Sequence, residues 1–136
     1  MGKRLALVID DELDIRNHIS AVLEDHGWDV QTAGTSEEAD QVIQDTRPDL
    51  ILLDLVMPGR GGPMFFARLR GDDRTKSIPV IMVTGIREQL HIDWKEFVGK
   101  LKARVPDGFI EKPIDARELA NMVERVTAGG IGAQSS

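Results

Sequence analysis

Residues 50–59 read LILLDLVMPG. Four apolar residues, Leu50 to Leu53, run unbroken into Asp54, and Pro58-Gly59 follows as a turn signal. A short apolar run closed by such a turn predicts a strand buried on both faces, as in a parallel sheet. Its acid falls where the strand should end. In an open parallel sheet, ligands bind at the carboxyl ends of the strands. A carboxylate placed there is solvated enough to ionise and is fixed by a stiff scaffold. Taken alone, Asp54 serves equally well as a solvated acid closing a strand, so its partners elsewhere must decide.

Working outward, the pattern repeats. Residues 4–9, RLALVI, predict a first strand running into Asp10, Asp11 and Glu12. Three adjacent acids repel one another and each costs desolvation if buried; a cation would relieve this. They also suit a helix start, with Asp10 and Asp11 on the loop and Glu12 in the first turn. Ile15, Ile19, Val22 and Leu23 recur at helical spacing, so a helix is expected over 13–25, closed by Gly27. Trp28 to Thr32 predict a short edge strand. Thr35 or Ser36 caps a second helix with Ala39, Val42 and Ile43 inward. Beyond Asp54, Gly59, Gly61, Gly62 and Pro63 form a loop. A helix follows from about Pro63 to Arg70, with Phe66 and Leu69 inside and proline at its start. Ile78 to Val83 predict a fourth strand ending in Thr84-Gly85. Gly108 to Ile110 form the core of a fifth, ending in Glu111-Lys112-Pro113. Asp115, or the residue before it, opens a last helix with Leu119, Met122, Val123 and Val126 inward. Strands alternating with helices imply an α/β fold, a parallel sheet with helices on both faces and right-handed crossovers.

The 136 residues suit one domain, taken as 1–128, with the Gly-, Ala- and Ser-rich residues 129–136 as a flexible tail. Apolar residues make up 41%, enough for a folded core. The absence of cysteine excludes disulfide, zinc-thiolate and thiol chemistry. No apolar run approaches the ~20 residues that span a bilayer. The basic and apolar start runs straight into acids without a cleavage site. The expectation is therefore a cytoplasmic protein with no membrane partner. A net charge of -6 argues against direct nucleic-acid binding. His18, His26 and His91 are scattered, without metal-ligand spacing, and read as surface or helix-end residues.

Four predicted strands thus end in polar residues: Asp10 and Asp11, Asp54, Thr84, and Lys112. Each is ordinary alone. Together they form a polar site at one edge of a parallel sheet. Three carboxylates suit a hard cation, and magnesium prefers oxygen ligands at ~2.0–2.1 Å with several waters retained. Thr84 can donate a hydrogen bond to an oxyanion, and Lys112 supplies a point charge. These are the parts needed to hold a phosphoryl group in transfer.

At these motifs the chain resembles the receiver domain of bacterial two-component response regulators. The matching stretches are VIDDE, LLDLVMPG, MVTG and FIEKP, and the resemblance covers residues 4 to about 127. It implies a flavodoxin-like, doubly wound five-stranded parallel sheet of order 2-1-3-4-5. It implies a phosphoacceptor role for Asp54, phosphorylated from a phosphohistidine on a sensor histidine kinase or histidine phosphotransfer protein. Magnesium would bind Asp11, Asp54 and the carbonyl of Val56, with Asp10 acting mainly through a metal-bound water. Thr84 would bond a phosphoryl oxygen after transfer. Lys112 would pair with the acceptor and then with the phosphoryl group, and Lys112-Pro113 would be cis. Thr84 and Phe109 would be the switch positions. They would change a face built from the helix before the fifth strand, that strand and the last helix. A downstream protein, an output domain missing from this chain, or a second copy forming a homodimer would read that face. The implied protein is a signalling module, not an enzyme.

The connection between the fourth and fifth strands is longer than receivers usually carry. Within 86–106, Asp93 and Glu96 resemble a capping box, and Ile92 and Phe97 flank it like a hydrophobic staple. They predict a loop near 86–92, then a helix from Trp94 to about Arg104. Trp94, Phe97, Val98, Leu101 and Val105 form its stripe, packed on the sheet or presented to a partner. One unbroken helix from Arg87 is the alternative. In receivers the positions of Val56 and Ile86 border the path of the hydrolytic water. Apolar residues there imply slow loss of the phosphoryl group.

Rival readings fare worse. An aspartyl phosphohydrolase usually needs a second acid two residues after its nucleophile, where this chain has Val56. A flavin module needs a phosphate-cradling loop after the first strand, where this chain has acids. The remaining alternative is a docking module that works without phosphorylation. The chain reads either as a stand-alone receiver or as part of a larger regulator.

Overall fold

The computed structural model describes residues 4–55, 61–85 and 105–135, with side chains through Thr127. In chain order these form β1 (Leu5–Ile9), α1 (Leu13–Asp25), β2 (Asp29–Ala33), α2 (Ser36–Asp45), β3 (Leu50–Asp54), α3 (Gly62–Gly71), β4 (Val80–Thr84), β5 (Gly108–Glu111) and a C-terminal helix, here α4 (Ala116–Ser135). The sheet is parallel throughout, in the expected order β2-β1-β3-β4-β5. The long connection from Thr84 to Gly108 is present. The helix expected from Trp94 to Arg104, its alternative from Arg87, and Val56 and Ile86 lie outside the described residues.

Period-two alternation in the strands divides the core into two layers. Leu7, Ile9, Ile51, Leu53, Val80 and Met82 face α2 and α3, where Ala39, Ile43, Phe65, Phe66 and Leu69 meet them. Ala6, Val8, Leu50, Leu52, Ile81, Val83 and Ile110 face α1 and α4, meeting Ile19, Val22, Leu23, Leu119 and Val123. All five residues of β3 and of β4 are buried, which explains their unbroken apolar runs. At roughly 25 cal/mol per Å² of apolar surface removed from water, this burial is the main force holding the layers together.

Several boundaries differ from expectation because backbone donors decide them. β4 begins at Val80, not Ile78. Pro79 has no N–H, and the Ile78 N–H is spent on the Thr75 carbonyl at 3.0 Å. β2 begins at Asp29, because the Trp28 N–H bonds back to Leu23 at the end of α1. Gly27, just past that helix, has φ +88, a conformation glycine adopts without steric cost. Glu12 is the N-cap of α1 and not a first-turn residue. Of the two candidate caps for α2, Thr35 is the one used; its Oγ1 accepts the Glu38 N–H at 3.1 Å. Asp115 likewise accepts the Arg117 N–H at 2.9 Å and opens α4. The helical backbone of α4 continues past residue 128.

α3 buries Phe65 as fully as the expected Phe66. Its first residue, Gly62, lies directly on β3: a Cβ there would meet the Asp54 carbonyl and would come within 2.7 Å of Leu55 Cα and O. That approach pulls the helix onto the sheet and widens the face it buries. Val105, the last residue of the stripe expected either to pack on the sheet or to be presented to a partner, is exposed. Pro106 beside it is buried instead as the chain turns into β5.

Candidate functional site: an acid–lysine cluster at the carboxyl edge

Strand register builds the site. Ile9 pairs with Leu53, Asp54 with Val83, and Thr84 with Glu111. The ladders continue one step beyond the strands through Asp10 N–H to Ala33 O, Leu55 N–H to Val83 O, and Lys112 N–H to Thr84 O at 2.8 Å. The ends of β1, β3, β4 and β5 therefore lie side by side. Asp10, Asp54, Thr84 and Lys112 arrive at one edge because their strands are in register there.

Lys112 is the centre of this cluster. Its Nζ lies 3.2 Å from Glu12 Oε1, 3.4 Å from Asp10 Oδ2 and 3.7 Å from Asp54 Oδ2. The Lys112-Pro113 peptide bond preceding α4 is cis, as expected. Asp10 and Asp54 are buried, at 1% and 3% exposure, whereas Asp11 and Glu12 face solvent. Asp10 Oδ1 accepts the Glu12 N–H at 2.8 Å, which holds the β1–α1 turn. Burial raises the Asp10 pKa from its ordinary value; the Glu12 N–H and Lys112 oppose the rise without cancelling it. Burial alone would lower the Lys112 pKa, but Asp54, Asp10 and Glu12 outweigh it, and the ammonium is held more firmly than usual.

One carboxylate oxygen from each of Asp10, Asp11 and Glu12 lies within 4.8 Å of the other two, a donor set suited to a hard cation. Asp54 is joined to this group across Lys112. Its assigned fourth donor, the Val56 carbonyl, lies outside the described residues. Thr84 is wholly buried, and its Oγ1 has no hydrogen-bond partner among the described residues. A buried hydroxyl left unpaired costs stability, so this one is set for an acceptor supplied from elsewhere. Phe109, on β5 opposite Met82, is half-buried against the α2–α3 layer.

Two residues around the site escaped the sequence reading. Glu12 was visible as an acid, but its partner stands 100 positions away. Arg16, one turn into α1, donates to the Asp10 carbonyl at 2.7 Å and so braces the acidic turn from behind. Its only sequence signal was a basic residue near an acidic triplet. His18, exposed as expected, donates from Nε2 to the Ile114 carbonyl at 2.9 Å, tying α1 to the loop after Pro113.

An acidic pocket paired with a lysine, on a doubly wound sheet of this order, defines a signalling receiver. A family profile described as "Response regulator receiver domain" matches residues 6–124. The chain belongs to the response regulator receiver domain family, and so to two-component signalling. It is 37% identical over 126 residues to the phosphate regulon transcriptional regulatory protein PhoB of Pseudomonas aeruginosa, covering 93% of this chain and 52% of that protein. It is 32% identical over 123 residues to protein PilH of the same organism, covering 90% of this chain and 97% of PilH. The chain thus spans about half the length of the PhoB proteins it matches and nearly all of PilH. Among solved structures, the chemotaxis response regulator CheY4 of Vibrio cholerae superposes with a TM-score of 0.77 at 29% identity, covering 91% of this chain and 98% of that one. NtrX from Brucella abortus gives 0.81 at 28% identity, covering 98% of this chain and 28% of NtrX. No described helix is long and apolar enough to cross a membrane.

Proposed function

We propose that this receiver takes a phosphoryl group onto Asp54 from a phosphohistidine of a sensor histidine kinase or histidine phosphotransfer protein. The observation that carries this reading is the convergence of Asp10, Glu12 and Asp54 on Lys112 beside the buried Thr84 hydroxyl, which has no partner among the described residues.

Asp54 is the nucleophile. An oxygen of its carboxylate forms the new bond to phosphorus while the bond to the donor nitrogen breaks. Lys112, already 3.7 Å from that carboxylate, stays protonated and balances the charge the phosphoryl group brings. Thr84 then gains an acceptor, which it lacks among the described residues. Asp10, Asp11 and Asp54, with the Val56 carbonyl, would hold magnesium. Burial of Asp10 with its Oδ2 met only by Lys112 among the described residues fits a second cation there. Bound magnesium would supply charge neutralisation at the acceptor and the transferring oxygens.

Phosphorylation adds negative charge and strong acceptor oxygens. Movement of Thr84 toward them opens space that Phe109, on the neighbouring strand, can take. The populations shift only as far as the phosphoryl group stabilises one state over the other. The face of β5 and α4 then passes the change to a downstream protein, to an output domain, or to a second copy in a homodimer. Residues 1–128 would form this module, with 129–136 appended, in a cytoplasmic setting.

The test is intact-protein mass spectrometry after incubation with magnesium and acetyl phosphate. A single phosphoryl adduct that requires magnesium and disappears in Asp54→Asn is expected. No adduct under saturating magnesium would favour a docking module that works without phosphorylation.

A further inference from the structure

Glu12 occupies the N-cap of α1, yet its side chain makes no capping bond. It reaches instead to Lys112 at 3.2 Å, nearer than either buried aspartate. We propose that Glu12 is a positioning residue that competes with Asp54 for Lys112 and so restrains phosphoryl acceptance. The inference rests on the reading of Asp54 as phosphoacceptor and adds a regulator of that same site.

The geometry makes the competition direct. Three carboxylates share one ammonium, and Lys112 cannot bring its full charge to Asp54 while Glu12 holds it at the rim. The Glu12 side chain is 61% exposed and that of Lys112 23%. The pair therefore sits at the mouth of the site, where it can open without moving the core. In the transfer step an Asp54 oxygen bonds to phosphorus, the bond from phosphorus to the acetyl oxygen of acetyl phosphate breaks, and acetate leaves with the electron pair. Lys112 keeps its proton throughout but must turn toward the phosphoryl oxygens. Breaking its contact with Glu12 is part of the barrier, and removing that contact lowers it.

Glu12 is also a safe position to change. The backbone N–H that braces the β1–α1 turn through Asp10 remains in Glu12→Gln, and no side-chain cap is lost.

The experiment times adduct formation from acetyl phosphate at saturating magnesium for wild type, Glu12→Gln, Lys112→Gln and the double variant. An exposed ion pair of this kind predicts a gain of about two- to five-fold in Glu12→Gln. The gain should lie in the maximal rate, with little change in the acetyl phosphate concentration giving half of it. In the Lys112→Gln background, Glu12→Gln should have no effect. A rate equal to or below wild type overturns the inference. So does a gain confined to the half-saturating concentration, because that signature belongs to simple repulsion of an anionic donor. An equal gain with and without Lys112 overturns it too. A wild type that forms no adduct removes the underlying reading of Asp54, and the inference falls with it.

Discussion

Asp10 shows what the site costs the fold. Its carboxyl is buried, and desolvation raises its pKa. A carboxyl whose pKa is raised on folding binds more protons folded than unfolded. Stability therefore falls as pH climbs from the ordinary value of 3.8 through the raised one, and the penalty persists at neutral pH. Asp10→Asn, measured at pH 7 with magnesium chelated, should melt higher by a few degrees, corresponding to roughly 1–2 kcal/mol. The same variant should lose the magnesium-dependent stabilisation expected of the wild type. A lower melting temperature without metal would contradict this account of Asp10. Thr84 makes the parallel case in a neutral group. Its hydroxyl is buried and unpaired among the described residues, so the near-isosteric Thr84→Val should leave chemical-denaturation stability within about 0.5 kcal/mol or raise it. A loss of 2 kcal/mol or more would mean that the hydroxyl has a partner in the resting state.

The elements hold these residues in place through a few close contacts. Gly62 lets α3 sit on the carbonyl of Asp54 and on Leu55. A methyl group there must displace backbone, so Gly62→Ala should destabilise by about 2 kcal/mol or more. It should also slow phosphorylation, because the displaced backbone carries Asp54, the proposed acceptor. At the other end of α3, Arg70 is buried over the Phe66 ring, 4.8 Å from its centroid. It donates to the Lys76 and Ile78 carbonyls and pairs with Asp107 at 2.9 Å. Asp107 in turn accepts the Val80 N–H at 2.8 Å. One side chain thus fixes where β4 begins and where the chain re-enters the sheet at β5. Arg70→Met should cost about 2 kcal/mol in urea unfolding, because the Lys76 and Ile78 carbonyls lose a charged donor while Asp107, which reaches solvent, keeps its hydration.

These elements were legible to different degrees. β1, β3 and β4 announced themselves because strands buried on both faces read as continuous apolar runs. Their exact starts did not, because those depend on which N–H groups the turns consume, as at Ile78 and Trp28. The second buried aromatic of α3 was hidden because one helix stripe seemed enough until Gly62 brought the helix onto the sheet.

For the whole molecule, the parallel register turns separate sequence motifs into one site. Asp10, Asp54, Thr84 and Lys112 could be named from the sequence because each closes a strand, and topology then places the strand ends together. Glu12 and Arg16 could not be assigned, since their roles depend on distances across the fold. On the proposed reading the same architecture accounts for signalling: Asp10, Asp54, Lys112 and a Thr84 hydroxyl without a partner among the described residues would be completed by an arriving phosphoryl group, and Phe109 on the adjacent strand would register the change.

The most direct test of this account locates the phosphoryl group chemically. The protein is treated with acetyl phosphate and magnesium, reduced with borohydride, and mapped by peptide mass spectrometry. Borohydride converts an aspartyl phosphate to homoserine and leaves free aspartate unchanged. The account predicts homoserine at position 54, dependent on magnesium and absent without the phosphodonor. Homoserine at position 10 or 11 in place of 54, or none at any position, would contradict it.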